Sequence, residues 1–176
     1  MNIVLIGYRG TGKSVLSRIL AENLRYERYS LDEWIVRSAG QPIPEIVEQW
    51  GWDRFREIER EVVKEVSAQA RSAVIDCGGG VVLDERNVSD LKRDGKVVFL
   101  TADPGLILKR TGRDTNRPPL KEGLSFEEEQ RRILSEREPK YRAAADCTFD
   151  TTHDRPRETA EKIIELFKKN RWLATE

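Results

Sequence analysis

Residues Gly7 to Ser14 read GYRGTGKS, which fits the phosphate-loop pattern G-x-x-x-x-G-K-[ST]. An apolar run, Asn2 to Ile6, precedes it, and a helix-like stretch from Val15 to Leu24 comes after it. Small residues let the backbone N–H groups of Gly10, Thr11 and Gly12 turn inward to cradle phosphate. The helix start behind them, at Ser14 and Val15, adds positive potential. Lys13 reaches the outer phosphates in such a loop, and the Ser14 hydroxyl sits on Mg2+. The sequence therefore predicts binding of a nucleoside triphosphate.

Further groups stand where strands end. Asp32 comes after the second strand-like run and could accept a proton from a substrate hydroxyl. As an isolated residue it reads more simply as the N-cap of the next helix. Asp76 closes the third run, Val74-Ile75-Asp76-Cys77, where phosphate-loop proteins place a carboxylate near Mg2+. The bland alternative is a solvated strand end. Gly78, Gly79 and Gly80 come next, allowing backbone to approach a ligand closely or simply making a sharp turn. Arg56 has Glu59 three residues on, close enough to brace its guanidinium on one helix face. Arg56 and Arg137 could each be surface charges. Converging on one carboxylate, they would hold it in planar, bidentate fashion. Residues 112–125, GRDTNRPPLKEGLS, make a poor helix and a good lid, and Arg113 and Arg117 could carry charge over transferring phosphate.

The elements that must position these groups alternate. Strands are predicted at 2–6, 27–31, 73–77, 96–100 and 146–150. Helices are predicted at 13–24, 32–39, 43–49, 53–70, 84–93, 103–111, 125–144 and 156–170. Val97 to Leu100 is apolar throughout, as a strand covered on both faces must be. The alternation predicts one domain over 1–176, a parallel five-stranded sheet in an α/β/α sandwich, with ligands beyond the C-terminal strand ends. Lys plus Arg and Asp plus Glu both total 31, so no basic excess favours nucleic acid or membrane surfaces. No apolar run nears the roughly 20 residues of a membrane span, and the phosphate loop leaves no room for a signal peptide. Cys77 and Cys147 read as buried thiols of a cytoplasmic protein. One histidine, His153, in a polar run reads as a surface residue, and no zinc set is expected.

Taken together, the chain resembles the shikimate kinases, in the nucleoside-monophosphate-kinase-like branch of phosphate-loop proteins. The marks are GYRGTGKS at 7–14, Asp32, Gly51 with FRxxE at 55–59, GGGVVL at 78–83, KRTGR at 109–113, NRPPL at 116–120 and SEREPKYRAAAD at 135–146. The resemblance implies transfer of the ATP γ-phosphate to the 3-hydroxyl of shikimate, with Mg2+, by a monomer. It implies that Asp32 binds the substrate hydroxyls and acts as base, and that Arg56 and Arg137 hold the carboxylate. Gly78, Gly79 and Gly80 would close the acid pocket within a substrate region at about 32–60. Lys13 and Arg117 would meet the phosphates, while Arg110 and the loop around Pro156 would hold adenine. Three positions depart from the pattern. Ser30 replaces an Asp that helps hold hydrated Mg2+, and Asp76 is expected to substitute for it. Trp52 stands where the family has Glu. Val47 stands where an aromatic, usually Phe, walls the pocket; Trp34, Trp50 and Trp52 could refill that space or belong to the core.

Two other readings compete. One is a kinase of another hydroxy acid, such as gluconate, or of a nucleotide. The other is a nucleotide-dependent switch. The arginine pair with Asp32 favours a hydroxylated carboxylate. The absence of N-K-x-D disfavours a GTPase.

Overall fold

A computed structural model describes residues 1–112 and 125–173. Five strands run β1 (Asn2–Ile6), β2 (Glu27–Ser30), β3 (Ala73–Asp76), β4 (Gly95–Thr101) and β5 (Cys147–Asp150). They form one parallel sheet in the order β2-β3-β1-β4-β5. The helices are α1 (Lys13–Leu24), α2 (Leu31–Ala39), α3 (Ile43–Gln69), α4 (Glu85–Arg93), α5 (Pro104–Thr111), α6 (Phe126–Ala144) and α7 (Pro156–Lys169), with a short 3-10 turn at Val81–Leu83.

The expected three-layer α/β/α architecture is what forms. Strand side chains alternate between faces, so Val4, Ile6, Val97 and Phe99 join the core beneath α2, α3, α4 and α6. Ile3, Leu5, Val98 and Leu100 join a second core with Leu16 and Leu20 of α1 and Ile163 and Phe167 of α7. Covering both faces explains why β1 and β4 are almost wholly apolar. Strand order reverses around β1, so the loop after β1 opens into the crevice where such sheets bind ligands.

Local differences from the expected elements have simple causes. The two helices expected at 43–49 and 53–70 form one element broken at Gly51, whose φ of 78° suits glycine. Asp32 does not cap α2: Ser30 does, its hydroxyl accepting the Glu33 N–H, and Asp32 falls in the first turn. Asp84, Asp103 and Ser125, expected as first helical residues, are N-caps instead. Cys147 is half-buried rather than buried, since β5 is an edge strand. Among the described residues no helix is long and apolar enough to cross a membrane.

Candidate active site

The site is built on the segments that leave the C-terminal ends of β1, β2 and β3. After β1 the loop turns on Thr11, whose N–H and hydroxyl both meet the Tyr8 carbonyl. Lys13, the first residue of α1, is buried and donates to the carbonyls of Gly7 (2.8 Å) and Tyr8 (3.0 Å), holding its ammonium over the loop. The far strand also pins this loop. Thr151, just past β5, is buried and its hydroxyl is shared between the carbonyls of Thr11 (2.9 Å) and Thr101 (3.1 Å). Arg110 at the end of α5 donates to the Gly10 carbonyl at 2.9 Å.

A cavity of about 510 Å3 runs across these elements. Its middle is the phosphate loop, Gly10 to Val15. Arg110, Asp154 and Pro156 line one end, where an adenine site is expected. Ser30, Asp32, Asp76, Gly78 and Gly79 line the other. One hollow thus joins the phosphate loop to the carboxylates of Asp32 and Asp76.

The end of the cavity at Asp32 is crowded with charge. A methyl group on Gly78 would stand 3.1 Å from Asp32 Oδ1 and 3.3 Å from Glu59 Oε2. Glu59 is 1% exposed and accepts from Arg56 Nη1 at 2.6 Å, so the expected brace exists. Burial pushes the Glu59 carboxyl above its ordinary value; Arg56 pulls it back, Asp32 adds to the rise, and Arg137 lowers it. Its Oε2 is buried without a hydrogen-bond partner among the described residues. Cys77 sits among the same groups. Burial raises its thiol well above normal, Asp76 adds to this, Lys13 opposes it, and Glu59 and Asp32 contribute further. It therefore stays a protonated core thiol.

Arg56 and Arg137 do not line the cavity itself; they flank the glycine loop near its Asp32 end. A Cβ on Gly80 would lie 2.2 Å from Arg56 Nη2, so only glycine lets that guanidinium lie against the loop. A Cβ on Gly79 would lie 3.8 Å from Arg137 Nη1. Tyr141 donates to the Gly79 carbonyl, and burial lifts its phenol to about 12 despite the neighbouring Arg137. The two arginines thus converge on one short loop, both acting on Glu59.

Asp76 is not a solvated strand end. It is 5% exposed, and its Oδ2 receives Arg28 Nη2 at 3.2 Å and the Ser17 hydroxyl at 3.4 Å. Of the three tryptophans that could refill the space near Val47 or join the core, Trp50 is 64% exposed and does neither. Trp34 and Trp52 pack against the core. His153 is exposed, as expected. Arg113 and Arg117, with the motif at 116–120, lie outside the described residues.

Sequence reasoning misses several contributors. Arg9, a variable position of the loop pattern, lines the cavity and donates to Gln130 at 2.9 Å. Thr151, Asp154 and Thr159 also line the cavity; they flank Pro156, whose loop the resemblance points to, but are not singled out individually.

A phosphate loop after the first strand of this parallel sheet, with Asp32 in the same cavity, marks the phosphate-loop fold of the nucleoside-monophosphate-kinase-like type. The sequence profile of the shikimate kinase family matches residues 9–168. A shikimate kinase of Thermodesulfovibrio yellowstonii is 40% identical over 168 residues, covering 96% of this chain and 95% of the relative. The structure of shikimate kinase from Acinetobacter baumannii in complex with shikimate superposes with a TM-score of 0.90 at 38% identity, covering 96% of this chain and 93% of that one. Shikimate kinase from Aquifex aeolicus superposes at 0.83 with 31% identity, covering 97% and 98%. The chain belongs to the shikimate kinase family.

Proposed function

We infer that the chain transfers the γ-phosphoryl group of ATP to the 3-hydroxyl of shikimate, giving shikimate 3-phosphate and ADP. The observation that carries this reading is the cavity joining the phosphate loop to Asp32 and Gly78, in a chain of this family. The complex of the Acinetobacter relative with shikimate supports the choice of acceptor.

In this reading Asp32 takes the proton as the acceptor oxygen attacks the γ-phosphorus. The bond from that phosphorus to the β,γ-bridging oxygen breaks, and ADP leaves with the electron pair. Such transfer is mostly positioning and charge neutralisation. Backbone N–H groups of Gly10, Thr11 and Gly12 hold phosphate, and Lys13 and Arg117 neutralise it. Arg56 and Arg137 bind the acid's carboxylate, with Gly78, Gly79 and Gly80 closing the pocket. Arg110 and Pro156 border the adenine. Hard oxygen donors suit Mg2+, and the Ser14 hydroxyl and Asp76 carboxylate, in one cavity, form such a set; Ser14 would ligate the ion and Asp76 hold its waters. An ion held there would supply neutralisation of phosphate charge. The same reading has the enzyme act as a cytoplasmic monomer on small molecules, without nucleic acid or membrane.

Separate substitutions test the division of roles. Asp32→Asn is expected to remove most turnover with ATP affinity intact, Arg137→Ala to weaken acid binding, and Arg117→Ala to depress turnover more than ATP binding. Equal loss of ATP affinity in all three contradicts it.

A further inference from the structure

Arg56 is more confined than a salt bridge to Glu59 alone would make it. Its guanidinium carbon lies 4.9 Å from the centre of the Phe55 ring and 5.6 Å from that of Trp52. The two rings meet edge to face at 5.4 Å. Trp52, Arg56 and Glu59 are four and then three residues apart, so they share one helical stripe. The break at Gly51 starts the second half of α3 at Trp52. Glu59 takes one guanidinium N–H from beyond, and Gly80 lies close against the other side. A guanidinium over an aromatic face is held by the ring's quadrupole. Its planar fork then has few orientations left to lose when a carboxylate binds.

We propose that Trp52 is a positioning residue for acid recognition: its ring holds the Arg56 guanidinium in place, so that the acid's carboxylate meets an arginine already oriented. In acid recognition Trp52 acts through Arg56. It sets affinity for a negatively charged acceptor and leaves nucleotide binding and the chemical step unchanged. The proposal rests on the functional reading above, because it needs Arg56 to bind the carboxylate.

The test compares kinetics of ADP release, with saturating Mg2+-ATP, for wild type, Trp52→Leu, Trp52→Met and Trp52→Phe. Each is assayed on shikimate and on shikimate methyl ester, which lacks the carboxylate charge. Loss of the ring face in the Leu and Met variants is expected to raise KM for shikimate on the order of 3- to 10-fold. In those variants kcat and the affinity for ADP stay at wild-type values. Trp52→Phe, which keeps a ring face, stays within about twofold on the same scale. On the ester all variants match wild type. An unchanged KM for shikimate in the Leu and Met variants overturns the proposal. So does a loss that is equal on acid and ester, which marks a general packing defect, and so does a Phe variant as impaired as the others. Wild type inactive on shikimate overturns the functional reading and the proposal together; active wild type with unaltered variants overturns the proposal alone.

Discussion

Ser30 and Asp76 are register partners across the C-terminal ends of β2 and β3. Both line the cavity that also holds Ser14. The family resemblance leads one to expect a carboxylate at position 30; here it stands one strand over. The hydroxyl at 30 caps α2 instead. Arg28, two residues before Ser30 on β2, holds Asp76 through Nη2 and the Ser17 hydroxyl through Nε. One carboxylate oxygen is thereby fixed toward Arg28 and Ser17.

If Asp76 orients waters on Mg2+, Asp76→Asn should weaken the metal-dependent part of nucleotide binding. An asparagine oxygen can still accept from Arg28, which protects the fold. Calorimetry gives the affinity for ADP with Mg2+ and with EDTA. The gain due to Mg2+ is expected to shrink on the order of tenfold, as for outer-sphere partners of metals. An undiminished gain in the variant contradicts the assignment.

Glu59 makes stability depend on pH. Its folded-state carboxyl titrates above the ordinary value of 4.5, chiefly through burial. The native state therefore holds this proton more tightly than the unfolded chain does. The stabilising contribution is present below about 4.5 and is lost as pH rises through the raised folded value. Glu59→Gln removes that dependence. Thermal melts of both proteins across this range should show the variant gaining on wild type as pH rises. A constant difference in Tm contradicts the account.

Thr151 ties the end of β5 to the phosphate loop. Thr151→Val keeps the shape and removes the hydroxyl shared by the Thr11 and Thr101 carbonyls. A buried carbonyl left unpaired costs about 1–3 kcal/mol. The expected result is a lower Tm and a weaker affinity for ATP, with the KM for the acid unchanged. Melting and nucleotide titration check this.

The fold is legible in the sequence because its signals are local. Apolar strands covered on both faces, such as Val97 to Leu100, announce themselves in the order of residues. The phosphate loop is equally local, since its chemistry needs contiguous small residues before a helix. The Arg56–Glu59 brace comes from helical spacing. The features that sequence does not reveal depend on pairing across the sheet. The expectation that Asp76 substitutes for an acid at 30 puts both at one site, but nothing in the order of residues says that they pair in register, or that Arg28 reaches Asp76. Asp32 reads as a cap because local propensity favours that role; the strand ends one residue earlier and gives the role to Ser30. The fate of the tryptophans likewise depends on helix orientation. Trp50 faces outward, while Trp52 rests against Arg56.

The most direct test of the central claim is ADP release from Mg2+-ATP in the presence of shikimate, run beside quinate, gluconate and AMP. Turnover that depends on shikimate, at roughly 1–100 per second as is usual for kinases, is the predicted result, with little on the other three. Turnover on another acceptor in preference to shikimate, or ATP binding without transfer to any of them, would contradict it.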